Sequence, residues 1–171
     1  MKSSNHFYSA LLLSFLWLGS VFAGSVLRGQ DGSTLTEAPA WKLTDLSGHE
    51  VSSAQFKGKV VVLDFWATWC VPCIGEIPGY IELQKKYGAQ GLAIIGVSVD
   101  QGSPEAVAKF AKAKGMNYVI LMADDSIADA FGGLGAIPTT FLINREGRIV
   151  HHKVGAMPHE EYEKIVQQAL R

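Results

Sequence analysis

Two cysteines, Cys70 and Cys73, are the only ones in the chain, and only Val71 and Pro72 separate them. They stand in Asp64-Phe65-Trp66-Ala67-Thr68-Trp69-Cys70-Val71-Pro72-Cys73, where an apolar run ends and a helical pattern begins. A thiolate at a helix N-terminus faces unpaired backbone N–H groups and the positive end of the helix dipole. Its pKa falls, and it becomes a nucleophile near neutral pH. Cys70 holds that place. Cys73 lies one turn on, on the same face and within disulfide reach, so it can resolve a mixed disulfide that Cys70 forms with a partner. A structural staple is a poorer account, because a bridge closing so short a loop contributes only about 2 kcal/mol. Half of a zinc site would need further ligands from His49, His151, His152 or His159, which offer no convincing pair spacing. No metal and no separate cofactor are expected beyond the Cys70–Cys73 redox pair.

The elements that must position this pair can be read on either side of it. Val60 to Phe65 is a continuous β-branched apolar run, the pattern of a central strand covered on both faces. Ile74 to Tyr87 carries helix-spaced apolar residues, Ile74, Ile77, Ile81 and Tyr80, with Pro78 expected to kink the helix. Leu92 to Val99 reads as a second buried strand. A helix follows, opened by Ser103-Pro104-Glu105, with Val107, Phe110 and Ala111 toward a sheet. Tyr118 to Met122 is a third strand and Ser126 to Phe131 a short helix capped by Asp124-Asp125. Thr139–Ile143 and Arg148–Lys153 form a hairpin that leaves His151 and His152 on an edge strand, and Pro158 to Leu170 is a closing amphipathic helix. Before the motif, Trp41–Thr44 and His49–Val51 flank a turn and form a small hairpin. The alternation predicts an α/β fold, a central mixed sheet with helices on both faces.

With 171 residues, of which 48% are hydrophobic, the chain can fill the core of one domain. A net charge of −1, scattered along the chain, provides no basic field for nucleic acid. Residues 1–23 read as an export signal: Lys2, an uncharged apolar stretch from Phe7 to Ala23, and a Val21-Phe22-Ala23 cleavage site. Left uncleaved, residues 7–23 sit at the short end of bilayer-spanning length and would serve as a membrane tether. Residues 24–38 mix Gly, Ser and Thr without a hydrophobic period and are expected to form a flexible linker, with one folded domain over 39–171.

VVVLDFWATWCVPC, together with the later Gly135-Ala136-Ile137-Pro138-Thr139-Thr140-Phe141, resembles the thioredoxin superfamily. The entry Trp41-Lys42-Leu43-Thr44-Asp45-Leu46-Ser47-Gly48, the extra helix and strand between Ser103 and Met122, Glu76 and the N-terminal signal resemble its exported TlpA/ResA-like branch. The resemblance implies a thioredoxin fold with an N-terminal hairpin extension and an inserted helix–strand segment. It further implies a cis peptide at Ile137-Pro138, lying against the disulfide and offering backbone to an incoming peptide. Asp64 matches the buried acid of thioredoxin, where TlpA/ResA-like chains often carry Asn. A carboxylate inside an apolar strand has a raised pKa and is suited to take the proton of Cys73, with Glu76 the second candidate for that work. Trp69, Val71, Pro72, Ile137 and Pro138 are the expected client-binding residues, and Trp66 belongs either to that rim or to the core.

What the resemblance implies functionally is an exported thiol:disulfide oxidoreductase in the periplasm or cell envelope. It would reduce client disulfides such as those of apocytochrome c or oxidase copper-site cysteines, taking electrons from a membrane thiol donor. A DsbA-like oxidase would use the same residues, and a non-catalytic carrier could hold Cu(I) between the two thiols. A peroxidase is weaker still, because the pair sits in the thioredoxin position and there is no separate peroxidatic cysteine.

Overall fold

The computed structural model describes residues 36–171. The expected signal segment and residues 24–35 of the expected linker lie outside the described residues. The linker boundary needs correction: Thr36–Glu37, placed in the linker by composition, form a first strand, β1, paired antiparallel with Ile149 and Arg148.

Seven further strands follow: β2 (Lys42–Asp45), β3 (Glu50–Ser52), β4 (Val60–Trp66), β5 (Leu92–Ser98), β6 (Val119–Met122), β7 (Thr139–Ile143) and β8 (Arg148–Val154). The helices are α1 (Val71–Tyr87), α2 (Pro104–Lys114), α3 (Asp125–Ala130) and α4 (His159–Leu170). All eight strands join one sheet in the order β1-β8-β7-β4-β5-β6-β2-β3. β4, β5 and β6 run parallel, and the remaining pairs are antiparallel. The expected mixed sheet, N-terminal hairpin and inserted α2–β6 segment are therefore all present. The hairpin β2–β3 extends the sheet by pairing β2 with β6, a docking its sequence does not specify.

The apolar run of β4 is buried at every residue because both faces are covered. Val61, Leu63 and Phe65 pack with Ile95, Val97, Phe141 and the α3 residue Ile127 on one face. Val60 and Val62 meet Tyr80, Leu83, Tyr162 and Val166 of α1 and α4 on the other. Strand alternation puts Asp64 and Trp66 on this second face. Trp66 is core, 2% exposed, and packs with Ile77, Val107, Ala111 and Ile120.

Helix α1 runs through Pro78 without interruption and buries Cys73, Ile77, Tyr80, Leu83 and Tyr87, while Ile74 and Ile81 are only partly buried. The α2 helix stops at Gly115, whose φ of 70° is the left-handed conformation that favours glycine at a helix end. At the pole away from the cysteines, Arg145 donates to the carbonyls of Gly58, Gln90 and Leu170 and so ties three segments together. β1 pairs with β8 only at Arg148 and Ile149, so among the described residues His151 and His152 keep the outer edge of β8, and they point to opposite faces. The His152 ring stacks on Phe141, and the His151 ring lies against Tyr162.

Gly96 on β5 lies close against the Trp66 ring. A Cβ there would stand 2.9 Å from Trp66 Nε1 and 3.0 Å from Ile120 Cδ1. Gly96→Ala is expected to destabilise the fold by about 1–3 kcal/mol through overpacking, measured as a lowered urea midpoint at unchanged m-value.

Candidate active site

The turn between β4 and α1 is held from below by one carboxylate. Asp100 Oδ2 accepts from the Thr68 backbone N–H at 2.9 Å and from Ser98 Oγ at 2.7 Å, and its Oδ1 accepts from Thr68 Oγ1 at 2.6 Å. Val99 N–H donates to the Trp66 carbonyl, continuing the strand pairing up to the turn. Cys70 is thereby delivered as the N-cap of α1, where its Sγ accepts the Cys73 backbone N–H at 3.3 Å. Pro72, in the first turn, has no N–H to leave unpaired. Cys70 and Cys73 are joined as a disulfide, with Cα atoms 5.3 Å apart.

The two sulfur residues differ little in exposure in this oxidised form, 5% for Cys70 and 2% for Cys73. Both are covered because they share one apolar cluster with Trp66 and Ile77, against which Ile137 packs. What is exposed lies beside Cys70 in the chain: Trp69 at 67% and Val71 at 78%. Trp69 therefore takes the rim position and Trp66 the core.

Ile137-Pro138 is cis, as the family pattern implied. Ile137 packs against the apolar cluster that contains both cysteines, which brings the loop to the disulfide. The Pro138 carbonyl accepts from Gly155 N–H at 2.8 Å, tying this loop to the end of β8.

Behind the disulfide lies a polar layer that the sequence disclosed only in part. Asp64 pairs in register with Thr140, and Thr140 with Lys153, so the three stand abreast on β4, β7 and β8. Thr140 Oγ1 donates to Asp64 Oδ1 at 2.7 Å, and the Tyr80 hydroxyl donates to the same oxygen at 3.3 Å. Burial lifts the Asp64 carboxyl from 3.8 to about 7, against the lowering effect of the Thr140 hydrogen bond and the Lys153 charge. Glu76 raises it further and Tyr80 lowers it.

Glu76 is no solvated helix charge. Lys153 Nζ reaches its two oxygens at 2.8 and 3.1 Å, with the side chains only 4% and 10% exposed, and the Met157 backbone N–H adds a bond at 3.2 Å. Lys153, Tyr80, Thr140 and Asp100 were absent from the sequence-based site. The alternation along β8 was a usable signal, since it puts Lys153 on the same face as His151. Only the register, with its irregularity between Leu142 and Ile143, aligns Lys153 with Thr140.

The sequence and the architecture have counterparts among known proteins. A model of the AhpC/TSA family matches residues 35–152. The thiol-disulfide oxidoreductase ResA of Geobacillus kaustophilus is 40% identical over 138 residues, 80% of this chain and 76% of that one. ResA of Bacillus subtilis is 38% identical over 149 residues, 86% of this chain and 82% of its own. The chain belongs to the ResA-like thiol-disulfide oxidoreductases of the AhpC/TSA family. A thioredoxin-family thiol:disulfide interchange protein from Chlorobium tepidum has the same fold, with a TM-score of 0.75 and 33% identity over 81% of this chain and 99% of that one. The family supplies the activity, thiol–disulfide exchange with disulfide-bearing proteins, and Cys70 and Cys73 are the only thiols in the chain to perform it.

The elevated Asp64 pKa fixes a sign for stability. Between about pH 4 and 7 the folded state holds a proton at Asp64 that the unfolded chain releases, so stability falls as pH rises through that window and stays lowered above it. Asp64→Asn is expected to be more stable than the parent at pH 8, by up to about 4 kcal/mol, with the difference vanishing near pH 4. Denaturant titrations of both proteins across this range check it.

Proposed function

We propose that this oxidoreductase works as a reductant of client disulfides in the cell envelope. The Cys70 thiolate attacks a client disulfide sulfur, forming a Cys70–client bond and releasing the other client sulfur as a thiolate. Cys73 Sγ passes its proton to Asp64. The resulting Cys73 thiolate attacks Cys70 Sγ, the Cys70–Cys73 bond forms, and the second client sulfur leaves with the electron pair. The client gains two electrons and the protein is left oxidised, to be re-reduced by a thiol donor at the membrane. No cofactor beyond the Cys70–Cys73 pair enters these steps.

The observation that carries the reducing direction is the modest stabilisation available to a Cys70 thiolate. It has the Cys73 N–H and the α1 N-terminus, but Val71 and Pro72 between the cysteines bring no charge. A strong oxidant needs a far more stabilised thiolate, as in DsbA at a pKa of about 3.5. Lys153 offsets the Glu76 charge, and the field that opposes a Cys70 thiolate comes from Asp64 once it ionises. Trp69, Val71, Pro72, Ile137 and Pro138 form the client-facing rim. The Phe7–Ala23 signal supports export, with the protein either released after Ala23 or tethered through residues 7–23. Cytochrome c precursors and copper-site cysteines of oxidase assembly are the client classes that the family resemblance favours.

Four measurements test this reading. The reduction potential is expected below about −200 mV, and a value above about −150 mV would make the protein a DsbA-like oxidase. Iodoacetamide is expected to label Cys70 before Cys73 in the reduced protein, and Cys73→Ser should accumulate the Cys70 mixed disulfide with an insulin-derived client. A Cu(I) carrier would instead bind copper tightly and leave insulin disulfides intact in the presence of dithiothreitol.

A further inference from the structure

Lysine is among the residues least often buried, and Lys153 is buried in this polar layer. Its ammonium donates to both Glu76 oxygens and to the Gly155 carbonyl at 3.1 Å, and it lies 5.6 Å from the centre of the Tyr162 ring. Gly155 in turn holds the Pro138 carbonyl, and Met157 N–H holds Glu76. The ion pair thus joins three parts of the site: α1 one turn beyond Cys73, the cis-proline loop, and the strand abreast of Asp64. Asp64 and Lys153 are two strands apart, about 10 Å between Cα atoms, with Thr140 between them and both side chains on the α1 face. In a desolvated layer, charges at such range are poorly screened.

We propose that Lys153 is a positioning residue of the exchange reaction, whose ammonium, balanced against Glu76, sets the proton occupancy of Asp64. The consequence for catalysis rests on the reading above that Asp64 accepts the Cys73 proton. Two carboxylates share one cation here. Glu76 takes the direct contacts, so Asp64 keeps only hydrogen bonds from neutral hydroxyls and lies in the field of both opposed charges. Removing either member of the pair leaves Asp64 facing the other alone.

The groups facing Asp64 are few. Helix α1 brings Glu76 and Tyr80, β7 brings Thr140, β8 brings Lys153, α4 brings Tyr162, and Tyr118 precedes β6. Burial holds the tyrosine hydroxyls above their ordinary range, so they stay neutral through neutral pH. In the oxidised protein neither cysteine titrates, which leaves Lys153 and Glu76 as the charges whose removal Asp64 can sense.

The test is a carbon-13 NMR titration of the Asp64 carboxyl in the full oxidised protein. Lys153→Met is expected to raise the midpoint by about one pH unit, Glu76→Gln to lower it by a similar amount, and the double variant to return near the parent, with Lys153→Arg close to unchanged. Shifts of the two single variants in the same direction, or no shift in either, would overturn the proposal. Should Lys153→Met fail to fold, Glu76→Gln and Lys153→Arg decide it alone: an unmoved midpoint in Glu76→Gln, or a raised one, overturns it. The pH profile of mixed-disulfide resolution in Glu76→Gln separates this proposal from the reading beneath it. A midpoint that moves while the profile stays put upholds Lys153 as the setting charge and removes Asp64 as proton acceptor. A profile that moves over a static midpoint removes Lys153.

Discussion

Burying a carboxylate within the central strand that leads to the disulfide is the constraint around which this molecule is arranged. β4 must be apolar on both faces to sit in the middle of an eight-stranded sheet, yet its alternation directs Asp64 into the same layer as Val60, Val62 and Trp66. An uncompensated charge there would cost far more than the strand gains. The answer is a layer of hydroxyls and one distant ion pair, drawn from α1, β7 and β8. Removing one partner of such a buried pair costs about 3–5 kcal/mol, so the layer is also a structural commitment.

The same strand sets up the other half of the chemistry. β4 ends at Trp66, and the turn that follows is fixed by Asp100 from the adjacent strand end, so that Cys70 arrives as an N-cap and not as an ordinary loop residue. Helix α1 then carries Cys73, Glu76 and Tyr80 on successive turns, each facing a different depth of the site: the disulfide, the ion pair and the Asp64 layer. One strand and one helix thus supply the nucleophile, the resolving thiol and the buried acid. The cis-proline loop and the end of β8 close the site from the far side, through the bond between Gly155 and Pro138.

Much of this was legible in the chain. The β4 run, the helix start after Cys70, the β7–β8 hairpin and the closing helix appear within a residue or two of where composition and periodicity placed them, because each is a local pattern of apolar residues and turn formers. Trp66 was ambiguous, since an indole at a strand end suits either a rim or a core, and its neighbours Val107, Ala111 and Ile120 come from distant segments. Thr36–Glu37 looked like linker because a two-residue strand has no period to detect and exists only by pairing with β8. Glu76 had no visible partner until β8 delivered Lys153 to it.

By itself the sequence determined the reaction centre, because thiol chemistry needs only two cysteines one helical turn apart and a helix start to activate the first, and both are written within a few adjacent residues. It also determined that Asp64 would be buried, since Leu63 and Phe65 leave the strand no solvent-facing side. Tertiary structure alone decided the charge environment of that centre. Whether Asp64 meets a cation, a second anion or only hydroxyls depends on the register of β7 and β8 and on how α1 and α4 cross them. Electrostatic energies in a desolvated layer change over a few ångströms, a distance that strand pairing sets and local sequence does not.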